Sequence, residues 1–265
     1  MNDSTSTDVV LCRKDGPLRW LTVNRPEKRN ALSLPVRIRA LEVLKEVAED
    51  SDARVLIVSG AGGTFISGGD ISELGAKGSS EETAARFKAQ SNELLHSLQT
   101  LGMPVIAMIH GYCFGGGMLL AASCDLRLCA DDAVFCAPAA RLGLAFPLDY
   151  AQLVVNLVGL GAAREMMFTA RRYSAGEAVS IGLVNRVVPK AELEDYTRRY
   201  AISIAENAPL SVKAAKIVLA ECAKGDSLRD TRRIDDALSA CMNSEDLRLG
   251  AEAFMQKKKP VFTGR

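Results

Sequence analysis

The tightest constraint on this chain is a design that occurs twice. An apolar strand over residues 54–59 runs into a glycine-rich loop, Gly60-Ala61-Gly62-Gly63-Thr64-Phe65-Ile66-Ser67-Gly68-Gly69-Asp70. A second apolar strand, over 105–109, runs into His110-Gly111-Tyr112-Cys113-Phe114-Gly115-Gly116-Gly117, and an apolar helix over 118–124 follows. Glycine at such turns lets the backbone take positive φ and approach a ligand closely. A helix start adds unpaired N–H groups and the positive end of a dipole. Two such N–H groups converging on one oxygen make an oxyanion hole. Glycine turns after strands also serve packing alone, so spacing leaves both readings open. A phosphate loop fits poorly. No Gly-Lys-Ser/Thr follows the second strand, and neither loop has an intact G-x-G-x-x-G with a suitable acidic partner.

Around this pair the pattern alternates. Residues 9–12 and 18–23 read as short strands joined through Asp15-Gly16-Pro17. Val36, Ala40, Val43, Leu44 and Val47 mark one face of a helix over 35–50, with Ser33 as its N-cap and Leu34 at its first position. A further helix is predicted over 81–101, stopped by Gly102 and Pro104. Short strands follow at 126–128 and 133–135, helices at 150–158, 163–169 and 175–181, and a strand at 183–188. After Pro189, helical periodicity and charge run to Lys259. The expectation is an α/β core over residues 1–190 with a helical C-terminal region over 191–265.

Composition narrows the function classes. The 265 residues carry a net charge of +1, which gives no electrostatic footprint for nucleic acid or an acidic membrane. The apolar stretches are too short or too interrupted to span a bilayer. The polar start MNDSTSTD reads as a frayed terminus, not a secretory signal. Seven cysteines lack CxxC or Cys/His spacing and read as reduced, mostly buried thiols of a cytoplasmic protein, with no metal site.

Five motifs in order then resemble the crotonase family, the enoyl-CoA hydratases and isomerases. Asn24-Arg25-Pro26-Glu27-Lys28-Arg29-Asn30-Ala31-Leu32 is similar to N-R-P-x-x-x-N-A-L, and Phe65-Ile66-Ser67-Gly68-Gly69-Asp70-Ile71 to F-x-A-G-x-D-I. Residues 110–125 resemble the G-x-x-x-G-G-G segment closing with C-D. Residues 169–189 resemble T-x-x-x-x-x-A-x-E-A-x-x-x-G-L-V-x-x-V-V-P, and residues 244–264 the terminal S-E-D…G-x-x-A-F…K-x-P-x-F-x-G. The resemblance implies a spiral of ββα turns, a C-terminal trimerisation region, and a homotrimer or dimer of trimers. It implies an acyl-CoA substrate, with coenzyme A arriving as part of it and no permanently bound cofactor. It implies that the Gly69 and Gly116 N–H groups hold the thioester oxygen. Lys28 and Arg29 would lie near the CoA phosphates, and backbone around Ala31, Ser67, Gly68, Asp70 and Ile71 would line the nucleotide and pantetheine. Taken alone, Lys28 and Arg29 read as a solvated loop. The run Lys257-Lys258-Lys259 reads either as part of a neighbouring subunit's CoA site or as a solvated helix end.

The chain departs from the family where the chemistry lies. The hydratases use two glutamates as general acid and base. The corresponding positions are Leu119 and Ala139. Branches that place an aspartate after the L-G pair would have it at Pro147. A decarboxylase branch with a tyrosine one residue earlier meets Phe146, and its oxyanion-loop histidine meets Gly69. The remaining polar candidates are few. Asp149 reads as a relocated acid or base, or as an N-cap with Gln152 completing a capping box, and the cap mechanism is favoured. Arg141 pairs with a substrate carboxylate or with a structural acid. Tyr150 either donates through its hydroxyl or, the preferred reading, packs. Asp70 and Asp125 read as structural, His110 as a satisfied core histidine and His96 as a surface residue. The loop at 75–80 and the 81–101 helix are expected to shape the acyl pocket. The readings left open are an enzyme that stabilises an enolate or oxyanion by decarboxylation, isomerisation or hydrolysis, a non-catalytic acyl-CoA binder, and a relative acting on a β-diketone.

Overall fold

The computed structural model describes residues 8–70 and 81–265, with residues 81–87 described as backbone only. The expected α/β architecture is observed. Strands β1 (Val10–Asp15) and β2 (Leu18–Val23) form an antiparallel pair, and β2 continues into a parallel array with β3 (Val55–Gly60), β4 (Val105–Ile109), β6 (Leu126–Ala130) and β9 (Arg186–Val188). The order in this sheet is β1-β2-β3-β4-β6-β9. A smaller sheet joins β5 (Tyr112–Phe114), β7 (Val134–Cys136) and β8 (Tyr173–Ser174). Ile66 bridges to Cys113 of that sheet, so the first glycine loop is stitched to the second.

The large sheet is covered on both faces, which is why β3 and β4 read as unbroken apolar runs and are buried at every position. Alternate side chains point opposite ways. Leu18, Trp20, Val55, Ile57, Ile106, Met108, Leu128 and Ala130 pack against Leu193 and Ala201 of the helix Leu193–Ala205. Leu21, Val23, Leu56, Val58, Ala107 and Ile109 face the larger core, with α1 (Leu34–Glu49), α2 (Glu81–Thr100) and α3 (Gly116–Ser123). Each buried Leu, Ile or Val contributes about 1.5–3 kcal/mol, so these two layers hold the sheet that positions the glycine loops.

Some boundaries differ from the sequence expectation. Helix α3 starts at Gly116, two residues early, so two glycines form its first turn. The helices expected at 150–158 and 163–169 lie in one segment, α4 (Leu148–Thr169), broken at Gly159, whose φ is 73°. The last strand is shorter than expected because Leu183 and Val184 donate their N–H groups to Ala178 of the preceding helix instead of the sheet. Ser33 does stand at the N-cap of α1, without a side-chain capping bond. All seven cysteines are free, and Cys113, Cys124, Cys129 and Cys136 are buried as expected. Among the described residues no helix is long and apolar enough to cross a membrane, and no group of three metal-ligating side chains gathers.

Candidate active site

The site begins with one asparagine. Asn30 is fully buried with φ at 56°, a left-handed conformation that Asn tolerates better than most residues. Its Oδ1 accepts from the Arg25 N–H at 2.9 Å, and its Nδ2 donates to the carbonyls of Ala61 (2.9 Å) and Thr64 (2.6 Å). The N-R-P segment thereby fixes the start of the first glycine loop. Arg25 adds two ties, donating to the Ala31 carbonyl at 3.0 Å and pairing with Asp70 at 3.3 Å. Asp70 therefore braces the loop, as its structural reading required.

Hydrogen bonding then dictates where Gly69 points. Leu32 donates to the Gly68 carbonyl at 2.8 Å, and the Asp70 N–H donates back to the Leu32 carbonyl at 3.4 Å. In such a parallel bridge the neighbours of Gly69 face Leu32, so the N–H of Gly69 itself faces the opposite way. It has no acceptor among the described residues.

The second loop meets it there. Ile66 donates to Tyr112 (3.1 Å) and accepts from Phe114 (3.0 Å), while Gly115, with φ at 48°, donates to Cys136 at 2.9 Å. Gly116 opens α3 with no side-chain cap, so its N–H is one of the unpaired donors of a helix start. The fit is close. A Cβ on Gly116 would stand 3.3 Å from the Gly69 nitrogen, and one on Gly68 3.8 Å from the Gly116 nitrogen. A Cβ on Gly117 would meet the Ile66 carbonyl oxygen at 2.3 Å. The far end of α3 is held by the buried Arg127, which donates to the carbonyls of Cys124 (2.8 Å), Ala121 (3.3 Å) and Leu183 (2.8 Å). A cation at a helix C-terminus suits both its orphan carbonyls and its dipole.

Gly69 and Gly116 line one pocket, together with Ser67, Gly68 and Gly115. The same pocket is lined by Leu119, Ala139, Phe146 and Pro147. These four, singled out from the sequence, thus meet in one cavity, and all four are apolar. Two adjacent N–H groups facing a largely apolar pocket are able to hold one oxygen and to stabilise negative charge on it. No cysteine is among the described residues that line this pocket; burial pushes Cys124 and Cys129 up to about 12, and Cys113 well above its ordinary value.

The expected binding residues divide. Lys28 and Arg29 are exposed and are not among the described lining residues, with the Arg29 carbonyl accepting from Ser67 at 3.1 Å and its guanidinium 5.9 Å from the Tyr112 ring. Ile71 and the 75–80 loop lie outside the described residues. His110 is bonded to the Gly62 carbonyl at 2.8 Å, and His96 is exposed. Asp125 accepts from Val105 and pairs with Lys216, a structural clamp. Lys259 at the C-terminal end pairs with Glu206.

One expectation needs correction, and one residue stands apart from the pocket. Asp149 is not an N-cap: Pro147 holds that position because α4 begins at Leu148, which places Asp149 in the first turn, exposed. No capping box forms, and Gln152 donates to Asn156 instead. Asp149 lines a neighbouring groove with Asn92, Glu93, His96 and Gln99, apart from the glycines. Arg141 is exposed on the short 3-10 helix Pro138–Leu142 and does not line the pocket.

Two residues enter the pocket that the sequence reading either missed or undervalued. Arg37, only 3% exposed, lines it from α1. The signal was available: Arg37 sits beside Val36 and three residues before Ala40, inside the apolar stripe of the helix. Tyr150 does not merely pack. It lines the pocket and donates its hydroxyl to Asn92 at 3.1 Å. Burial raises its pKa, the charge of Arg37 opposes that shift, and Asp149 adds to it.

Comparison with known proteins agrees with this architecture. The family model described as enoyl-CoA hydratase/isomerase matches residues 15–265. A short-chain-enoyl-CoA hydratase of Clostridium acetobutylicum is 34% identical over 251 residues, covering 94% of this chain and 95% of that protein. A peroxisomal Delta(3,5)-Delta(2,4)-dienoyl-CoA isomerase of Arabidopsis thaliana is 32% identical, covering 99% and 98%. The crystal structure of an enoyl-CoA hydratase/carnithine racemase from Magnetospirillum magneticum superposes with a TM-score of 0.92 at 31% identity, over 98% of this chain and 97% of that one. With the ordered motifs, the sheet topology and the paired glycine loops, these matches establish that the chain belongs to the enoyl-CoA hydratase/isomerase family.

Proposed function

We propose that this chain is an acyl-CoA-processing enzyme whose Gly69 and Gly116 N–H groups form an oxyanion hole for the thioester oxygen. One observation carries the reading: two N–H groups without a described acceptor share a pocket whose described lining contains no carboxylate. The hole stabilises an enolate, as in decarboxylation or isomerisation, or a tetrahedral oxyanion, as in hydrolysis. Hydration needs a water positioned and split by acid and base, and Leu119 and Ala139 supply neither. Coenzyme A comes as part of the substrate, with Lys28 and Arg29 toward its phosphates. The core is assigned to residues 1–190 and oligomerisation to 191–265, as a homotrimer or dimer of trimers. Exposed apolar side chains at Leu219, Met242, Phe254, Met255 and Val261 support that assignment. Free cysteines throughout support a cytoplasmic setting.

The test is hydration of crotonyl-CoA beside an ordinary hydratase of the family. The expected rate is lower by about 100- to 10,000-fold, the usual contribution of general acid–base catalysis. Comparable turnover would sink the proposal. A second reading, a non-catalytic acyl-CoA binder, is favoured by the same lack of carboxylates. A panel of acyl-CoAs that all bind and none of which turns over would select it.

A further inference from the structure

The cavity at the two glycine N–H groups has a volume of about 240 Å³. An apolar cavity of about 150 Å³ takes up benzene, a six-carbon body, so this one is larger than a four-carbon acyl chain needs. Apolar lining left without a partner forfeits its dispersion contacts. Leu94, Leu95, Leu119, Leu142, Leu144 and Phe146 supply much of that lining, and no Asp or Glu is among the described residues there. Of the polar side chains that join them, Tyr150 already donates its hydroxyl to Asn92.

The cavity is not closed by its own leucines. Leu142 and Leu144 line it, yet they are 51% and 52% exposed. Leu148, one residue beyond the lining residue Pro147, is 78% exposed. The backbone that presents the first two is held in place. The 3-10 helix Pro138–Leu142 ends at Gly143, whose φ is 67°, and the N–H groups of Gly143 and Leu144 both donate to the Ala139 carbonyl. A left-handed glycine and a shared acceptor fix this turn. These leucines lie in the segment assigned to the core, apart in sequence from the exposed apolar side chains of 191–265. Exposed apolar surface of this kind marks a binding surface, and here it continues the lining of the cavity at the glycine donors. We infer that the preferred substrate class is an aliphatic acyl thioester of coenzyme A with about eight carbons or more, whose chain fills the cavity and runs out over Leu142 and Leu144. This inference rests on the acyl-CoA reading above and deepens it.

The experiment measures affinity by calorimetry on the full chain for free CoA and for butyryl-, hexanoyl-, octanoyl- and decanoyl-CoA, with oligomeric mass followed by light scattering. Each added methylene is expected to raise affinity by about two- to fourfold, the upper value being that of one fully buried CH₂ group. Leu142→Asn and Leu144→Asn change half-exposed side chains, where substitution spares the fold. Each is expected to weaken decanoyl-CoA binding by about tenfold, the equivalent of one to two methylenes, with a smaller loss for butyryl-CoA and none for free CoA. Affinity that levels off at butyryl-CoA, or a chain-length gain that is undiminished in both variants, would overturn this inference alone. A fall in oligomeric mass of the variants with the chain-length gain intact would overturn it as well, giving these leucines to a second copy of the chain. Failure of every thioester and of free CoA to bind would overturn it together with the acyl-CoA reading.

Discussion

The pocket has two kinds of lining, drawn from different parts of the chain's chemistry. One is backbone, at Gly69 and Gly116. The other is the side chains of Leu119, Ala139, Phe146 and Pro147. The first is locked by packing and hydrogen bonding. Leu32 bonds Gly68 and Asp70, Arg25 pairs with Asp70, Asn30 holds the start of the loop at Ala61 and Thr64, and the Ile66 carbonyl leaves no room for a side chain on Gly117. The second is held by side-chain packing alone. Leu119 and Ala139 are buried apolar residues that line the cavity with no desolvation cost. The lesson is that the two linings rest on different interactions: backbone bonding places the glycine N–H groups, and side-chain identity sets what stands beside them.

The largest effect is expected on the backbone lining. Gly116→Pro removes one N–H at the first helical position and brings a ring carbon to about 3.3 Å from the Gly69 nitrogen, so it disturbs both donors. Turnover of the best thioester in a panel should fall by about 100- to 1000-fold, with circular dichroism unchanged. An undiminished rate would show that the Gly116 donor is idle.

The side-chain lining offers the next test. Leu119→Glu with Ala139→Glu should raise crotonyl-CoA hydration by about tenfold or more, a fraction of what a well-placed acid–base pair supplies. The same change should lower the melting temperature, because two carboxylates enter an apolar wall. No gain in a folded variant would mean that more than these two groups separates the chain from a hydratase.

The smallest effect belongs to Tyr150. Tyr150→Phe removes the hydrogen bond to Asn92 and should cost about 0.5–1.5 kcal/mol of stability. Burial raises the Tyr150 pKa above its ordinary value, so the fold favours the neutral phenol. That contribution is present below about pH 10 and is lost as pH rises through the raised value. Melting temperature against pH should therefore differ between wild type and Tyr150→Phe only by a constant up to about pH 10, with the wild type losing its advantage above it. A step near neutrality would contradict the assigned environment.

Much of this site is legible in the amino-acid sequence. The two strand–glycine-turn units are readable because continuous burial and left-handed φ leave few residue types available. Leu119 and Ala139 are singled out by their place after the glycine turn and after Pro138. What escapes a sequence reading is set by tertiary context. Arg37 looks like one polar residue in an amphipathic helix because its neighbourhood is made by α2 and α4, remote in sequence. Asp149 resembles a cap because D-x-x-Q fits the local pattern, but Pro147, with its fixed φ, starts the helix two residues earlier. The capping box that does form, Ser174 with Glu177, gives a weak sequence signal, since its helix is only six residues long. Gly159 breaks α4 between the two expected helices, as its positive φ permits.

The most direct measurement is a crystal structure of the chain with an acyl-CoA bound. The proposed oxyanion hole requires the thioester oxygen within about 2.7–3.1 Å of both the Gly69 and Gly116 nitrogens. A thioester oxygen outside hydrogen-bonding distance of both, with the acyl chain lying elsewhere than against Leu119 and Ala139, would contradict it.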